Sequence, residues 1–134
     1  MKKICNKVNA NVDYDINLEM NKIYGVTIRN EVIDFIRENA GGKPNKKIIS
    51  SQNREYEVRV FLSLDKTDKN YFIEKPLRYF MDNTKGKIIP IGVDSGDNYF
   101  CVNNETGKVY YWKSSVDEYF CISENLERFT KLFQ

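Results

Sequence analysis

Hydrophobic positions along this chain follow two periods. Val32, Ile33, Phe35 and Ile36 recur at helical spacing, and Glu31, Asp34, Arg37 and Glu38 take the other side. That pattern predicts a helix with one face on a core. Thr27 or Asn30 can cap its start, while Gly41-Gly42 and then Pro44 stop it. Residues 18–25 read as a shorter helix closed by Gly25. Leu126, Phe129, Leu132 and Phe133 share one side of a closing helix that Ser123 can cap. Residues 71–84 fit either state, and Pro76 can open a helix holding Leu77, Phe80 and Met81.

The second period is two. Tyr56, Val58, Val60 and Leu62 alternate with Glu57, Arg59 and Phe61, which predicts a strand over 56–63; a further strand is expected at 46–50. Residues 64–70 form a charged loop. Residues 87–93 read as a strand, with Pro90 marking an edge position or a bulge. Residues 98–102 and 108–112 are rich in aromatic and β-branched side chains and make a hairpin. Taking Asn104 as the first turn residue and Gly107 as a left-handed bulge position pairs Val102 with Tyr110 and Phe100 with Trp112. Both faces of that hairpin are largely apolar, so it belongs in the middle of a sheet with cover on each side. A narrower alternative leaves part of one face as an aromatic patch for a partner. Residues 114–118 link to a short strand at 119–122. Helices flanking hairpin-linked strands give an α+β class, with an antiparallel sheet packed against N- and C-terminal helices in one domain spanning 1–134. Residues 1–15 show no clean period and read as an arm or edge element.

Length and composition narrow the function. The chain has 134 residues, 41% of them hydrophobic, and no apolar run approaches the roughly 20 residues that span a bilayer. Asn6, Lys7, Asn9, Asn11 and Asp13 interrupt any signal-peptide core, so a cytoplasmic location is expected. There is no histidine, which removes His-based triads, His-ligated zinc and a His general base. Cys5, Cys101 and Cys121 form no CxxC; Cys101 and Cys121 read as buried apolar residues. The net charge of +2 hides an asymmetry. Residues 43–78 carry nine Lys or Arg against five Asp or Glu, and residues 94–127 carry seven acids against two Lys. Asp94-Ser-Gly-Asp97 suits a turn and lacks the 12-residue pattern of a calcium loop. No metal, cofactor or catalytic residue is expected.

Several motifs together resemble the SUKH superfamily, the Smi/Knr-like proteins. They are the early helix with Phe35-Ile36 followed by Gly41-Gly42 and Pro44, the strand Ile89-Pro90-Ile91-Gly92, and the turn Gly96-Asp97. The run Gly107-Lys-Val109-Tyr110-Tyr111-Trp112 and the closing helix with Leu126, Phe129 and Leu132 complete the set. The chain departs from the family's habit at Arg29, where a Pro is frequent, and at Ala40, where Asn is common. The resemblance implies an α+β binding domain with no known catalytic residues. Bacterial members look like immunity proteins that block a cognate polymorphic toxin, a nuclease among the candidates. The expected contacts with such a toxin are Asp94, Asp97, Glu105, Tyr110, Trp112, Asp117, Glu118 and Tyr119, acids for encounter and aromatics for hold. The competing reading is a nucleic-acid-binding module. It would use Lys43, Lys46, Lys47, Arg54 and Arg59 with Tyr56 and Phe61; the near-neutral total charge speaks against it.

Overall fold

The computed structural model describes residues 3–6 and 14–134. Its elements run β1 (Cys5–Asn6), α1 (Ile16–Tyr24), α2 (Asn30–Asn39), β2 (Lys43–Pro44), β3 (Ile48–Ser51), β4 (Arg54–Glu57) and β5 (Val60–Phe61). Then follow α3 (Glu74–Thr84), β6 (Ile88–Val93), β7 (Tyr99–Asn103), β8 (Val109–Lys113), β9 (Glu118–Ser123) and α4 (Leu126–Lys131). The α+β class stands as the periodicity indicates. Most of the expected N-terminal arm lies outside the described residues, but Cys5–Asn6 pairs with Lys43–Pro44 and so forms a short edge element.

The helices follow their local signals with two corrections. Asp15 caps α1 by accepting from the Leu18 N–H, and Gly25 ends it at φ 68°. Neither Thr27 nor Asn30 caps α2. Arg29 holds that position without a side-chain cap, and the Asn104 side chain, from the distant hairpin, accepts the Arg29 N–H at 3.0 Å. Asn125, rather than Ser123, caps α4 by accepting from the Arg128 N–H at 2.8 Å. The ambiguous segment resolves as α3, with Leu77, Phe80 and Met81 buried.

The strands form three sheets where one was expected. A five-stranded antiparallel sheet has the order β5-β6-β7-β8-β9; β3–β4 and β1–β2 are separate pairs. The run 56–63 splits because the Val58 N–H bonds the Lys47 carbonyl while the Arg59 N–H bonds that of Val93. One peptide thus hands the chain from one sheet to another. Gln52 and Asn53, at φ 51° and 65°, make the two-residue turn of β3–β4, as a primed hairpin turn requires. Pro90 sits at a bulge: it faces Cys101, the next pair is Gly92 with Phe100, and Ile91 is the extra residue.

The central hairpin differs from its expected register by one residue. Val102 faces Val109, Cys101 faces Tyr110, Phe100 faces Tyr111 and Tyr99 faces Trp112. The cause is the turn. Asn103, not Asn104, opens it, its side-chain oxygen accepting from the Glu105 and Thr106 N–H groups, and the Asn103 N–H bonds the Lys108 carbonyl. Asn104 points away and its amide donates to the carbonyls of Thr27 and Gly86. The tip of the hairpin is thereby tied to the start of α2, a link reinforced by the Arg29 guanidinium donating to the Glu105 carbonyl.

The true pairing sorts side chains onto two faces. Phe100, Val102, Val109 and Tyr111 share the first, where the main core lies. Phe129 of α4 stacks against Phe100 and Phe35, at 6.3 and 6.1 Å, and Tyr56 of β4 packs on Tyr111 at 5.1 Å. Tyr99, Cys101, Tyr110 and Trp112 share the second. There α3 lays Phe80 against Trp112 at 5.1 Å and Tyr99 at 6.0 Å. Cover on this second face is incomplete.

Candidate partner-binding surface

One helix is narrower than the sheet it covers, and the uncovered remainder is aromatic. On the second face, β8 and β9 place Tyr110 beside Cys121 and Trp112 beside Tyr119. Phe80 seals Cys101 and Trp112 into the core, while Tyr110 and Cys121 stay half-buried. Tyr119 and Tyr79 remain 38% and 48% exposed. The rings form a connected set: Tyr79 to Trp112 at 5.7 Å, Trp112 to Tyr119 at 6.5 Å, Tyr119 to Tyr110 at 6.2 Å. Large rigid side chains, part-buried at their roots and open at their tips, lose little conformational entropy when a partner covers them.

Trp112 is the centre of this patch without being its surface. It is 6% exposed, and its indole N–H donates to Asp117 at 2.7 Å. Asp117 stands at φ 52° in the β8–β9 turn, so the bond fixes both the ring and the loop. Burial is the main cause that lifts the Tyr119 hydroxyl well above the usual tyrosine range, and Asp117 adds to it. The phenol therefore stays a neutral donor at all physiological pH.

The eight residues expected as contacts do not form one surface. Tyr110, Trp112, Asp117 and Tyr119 come together as described. Glu118 points to the opposite face, into a groove of about 530 Å³ between β4 and the β8–β9 end, where Arg54 lies 4.4 Å over the Phe120 ring. Asp94 and Asp97 occupy the β6–β7 turn, at the same end of the sheet as Asp117, where the Asn98 side chain accepts the Ser114 N–H. Glu105 sits at the hairpin tip, at the other end. Asp94 is heavily engaged: it accepts from the N–H groups of Gly96 and Asn98 and from the Tyr111 hydroxyl. Asp97, at φ 62°, is exposed. Periodicity did not reveal Tyr79 or the half-exposure of Cys121. An aromatic on the polar side of the α3 stripe was the available signal for Tyr79.

The basic region of the competing reading looks different in three dimensions. Tyr56 is 7% and Phe61 1% exposed, both in the core, so neither ring is open for a base to stack on. Arg59 donates to the Tyr71 hydroxyl. A second concavity, about 840 Å³, runs between α2 and α4, with Ile4, Phe35 and Leu126 below and Asp34, Glu38 and Glu127 at its rim. Among the described residues no group of three or more His, Cys, Asp or Glu could hold a metal ion, and no helix is long and apolar enough to cross a membrane.

The SMI1 / KNR4 family (SUKH-1) profile matches residues 18–131. The chain belongs to that family. Members of the SUKH group are known as immunity-type proteins, and the match runs from the first turn of α1 to the end of α4. No curated protein and no solved structure gives a significant match to the chain.

Proposed function

We propose that this SUKH-1 protein is a bacterial immunity protein that binds a cognate toxin in the cytoplasm and blocks it stoichiometrically. The observation that carries the reading is the aromatic patch Tyr79–Tyr110–Tyr119 around a fixed Trp112, bordered by the acids of the adjoining turns, on a chain of this family. Tyr110 and Tyr119 are the proposed anchors, with Trp112 and Asp117 as their scaffold. Asp94 and Asp97, at the same end of the sheet as Asp117, supply negative potential beside them, whereas Glu105 at the hairpin tip and Glu118 on the opposite face lie away from the anchors. A toxin that acts on nucleic acid presents a basic cleft, and an acidic surface reaches such a cleft faster than a neutral one.

The test is co-expression with the product of each toxin-like gene encoded adjacent to this one. Expected are a 1:1 complex on gel filtration and restored growth of cells making the toxin. Failure to protect against every adjacent toxin-like product overturns the reading.

A further inference from the structure

The two edges of the five-stranded sheet are treated differently. At the β5 edge, the Gly41 N–H bonds the Phe61 carbonyl and the Phe61 N–H bonds the Gly42 carbonyl, so that edge is closed. At the other edge lies β9, six residues long and aromatic at Tyr119 and Phe120. Antiparallel strands direct their N–H and C=O groups alternately to either side. The Asn103 N–H bonds the Lys108 carbonyl, so residues 110 and 112 bond toward β7, residue 111 bonds toward Phe120, and Tyr119 and Cys121 turn their backbone groups outward. Among the described residues, the Ser51 hydroxyl bonds the Ile122 carbonyl at 2.6 Å, and no backbone group from outside the sheet bonds β9. A long open edge is a template for another strand.

Charge selects the occupant. From Ser114 to Glu127 the chain carries Asp117, Glu118, Glu124 and Glu127 and no Lys or Arg. Acids therefore stand at both ends of β9; the cations near them are Lys113 opposite Glu118, Arg54 held on Phe120, Arg128, and Lys131, which lies 3.7 Å from Glu127 and leaves Glu118 and Glu124 to meet a partner. A second copy pairing antiparallel along β9 would bring the Glu118 end of one strand against the Glu124 end of the other, like charge on like charge. We propose that β9 is a docking edge for an extended segment of a partner protein, basic at its ends and alternating in its middle. The segment adds as a sixth antiparallel strand through Tyr119 and Cys121, and alternate side chains meet the Tyr110–Tyr119 patch on one face and the Arg54–Phe120 groove on the other. The inference rests on the partner being a protein, as above, but not on its being a toxin.

Two capped synthetic heptapeptides serve as probes, Lys-Thr-Val-Thr-Val-Thr-Lys and its twin with Glu at both ends, with amide hydrogen exchange followed by NMR. The Lys-ended peptide should bind at least tenfold tighter at low salt, weaken as salt rises, and slow exchange at Tyr119 and Cys121. Cys121→Thr keeps the outward N–H and should retain the protection at Tyr119. Cys121→Pro removes that N–H at an edge position that tolerates proline, and should abolish the protection at Tyr119 while the rest of the spectrum stays folded. Equal binding of the two peptides, no binding at millimolar concentration, protection at other sites, or self-association through β9 overturns the proposal. Growth rescue is a separate readout: protection of β9 without rescue removes the toxin reading alone, and rescue without β9 protection removes this one alone.

Discussion

Replacing Asp94 by Ala should destabilise the fold substantially. Its carboxylate accepts from the N–H groups of Gly96 at 2.9 Å and Asn98 at 2.8 Å, from the Asn98 amide, and from the Tyr111 hydroxyl at 2.7 Å. A hydrogen bond to a charged group is worth about 1.5–3 kcal/mol net. Water can replace the carboxylate at the exposed Gly96, but less well at Tyr111, which packs against Tyr56 and Phe100. The loss for Asp94→Ala is thus about 2–4 kcal/mol, or a Tm lowered by roughly 8–16 °C for a domain of this size. Urea unfolding followed by Trp112 fluorescence measures it. A double-mutant cycle supplies the sharper check. Tyr111→Phe removes the hydroxyl that Asp94→Ala orphans, so the double variant should be less destabilised than the sum by about 1 kcal/mol. A change below about 0.5 kcal/mol for Asp94→Ala, or strict additivity in the cycle, refutes the account of Asp94 as a turn anchor.

Three further outcomes are expected. Tyr119→Ala should weaken the toxin complex tenfold or more while lowering the Tm by only a few degrees, since the ring packs on Trp112 and Tyr110 but is 38% exposed; isothermal titration and a thermal melt check both halves. Tyr111 and Tyr119 hold hydroxyls raised above the ordinary value of about 10, so the folded state keeps its protons longer than the unfolded chain. Their contribution to stability is complete below that value and fades as pH climbs toward the folded pKa. Absorbance at 295 nm should show a late-ionising fraction that shrinks in Tyr119→Phe, and loss of an ordinary component instead contradicts the burial. Gly42→Ala would put a Cβ onto the Cys5 sulfur and 3.0 Å from the Asn39 carbonyl, at a cost of about 1–3 kcal/mol. Denaturation should detect that, with partial recovery in the double variant that also carries Cys5→Ala.

The periodic segments were readable because burying one face dictates spacing within a single element. The stripe of Val32, Phe35 and Ile36, the stop at Gly41-Gly42, the left-handed Gly25 and the Pro90 bulge all depend on residues a few positions apart. The order of those local signals from 18 to 133 also sufficed to suggest the family. Choices between equivalent local partners were another matter. Asn103 and Asn104 suit a turn equally well, and the start of α2, some 75 residues away, settled the register by taking the Asn104 side chain. Arg29 likewise begins a helix with no local cap because that same Asn supplies the acceptor from outside. Exposure was decided at the same level. Composition does not say that α3 spans only part of a five-stranded sheet, nor that one edge is sealed by Gly41-Gly42 while β9 is left open. A side chain's pattern of neighbours in sequence fixes which face it takes; whether that face meets water depends on the width of what is packed against it, and only the assembled chain has a width.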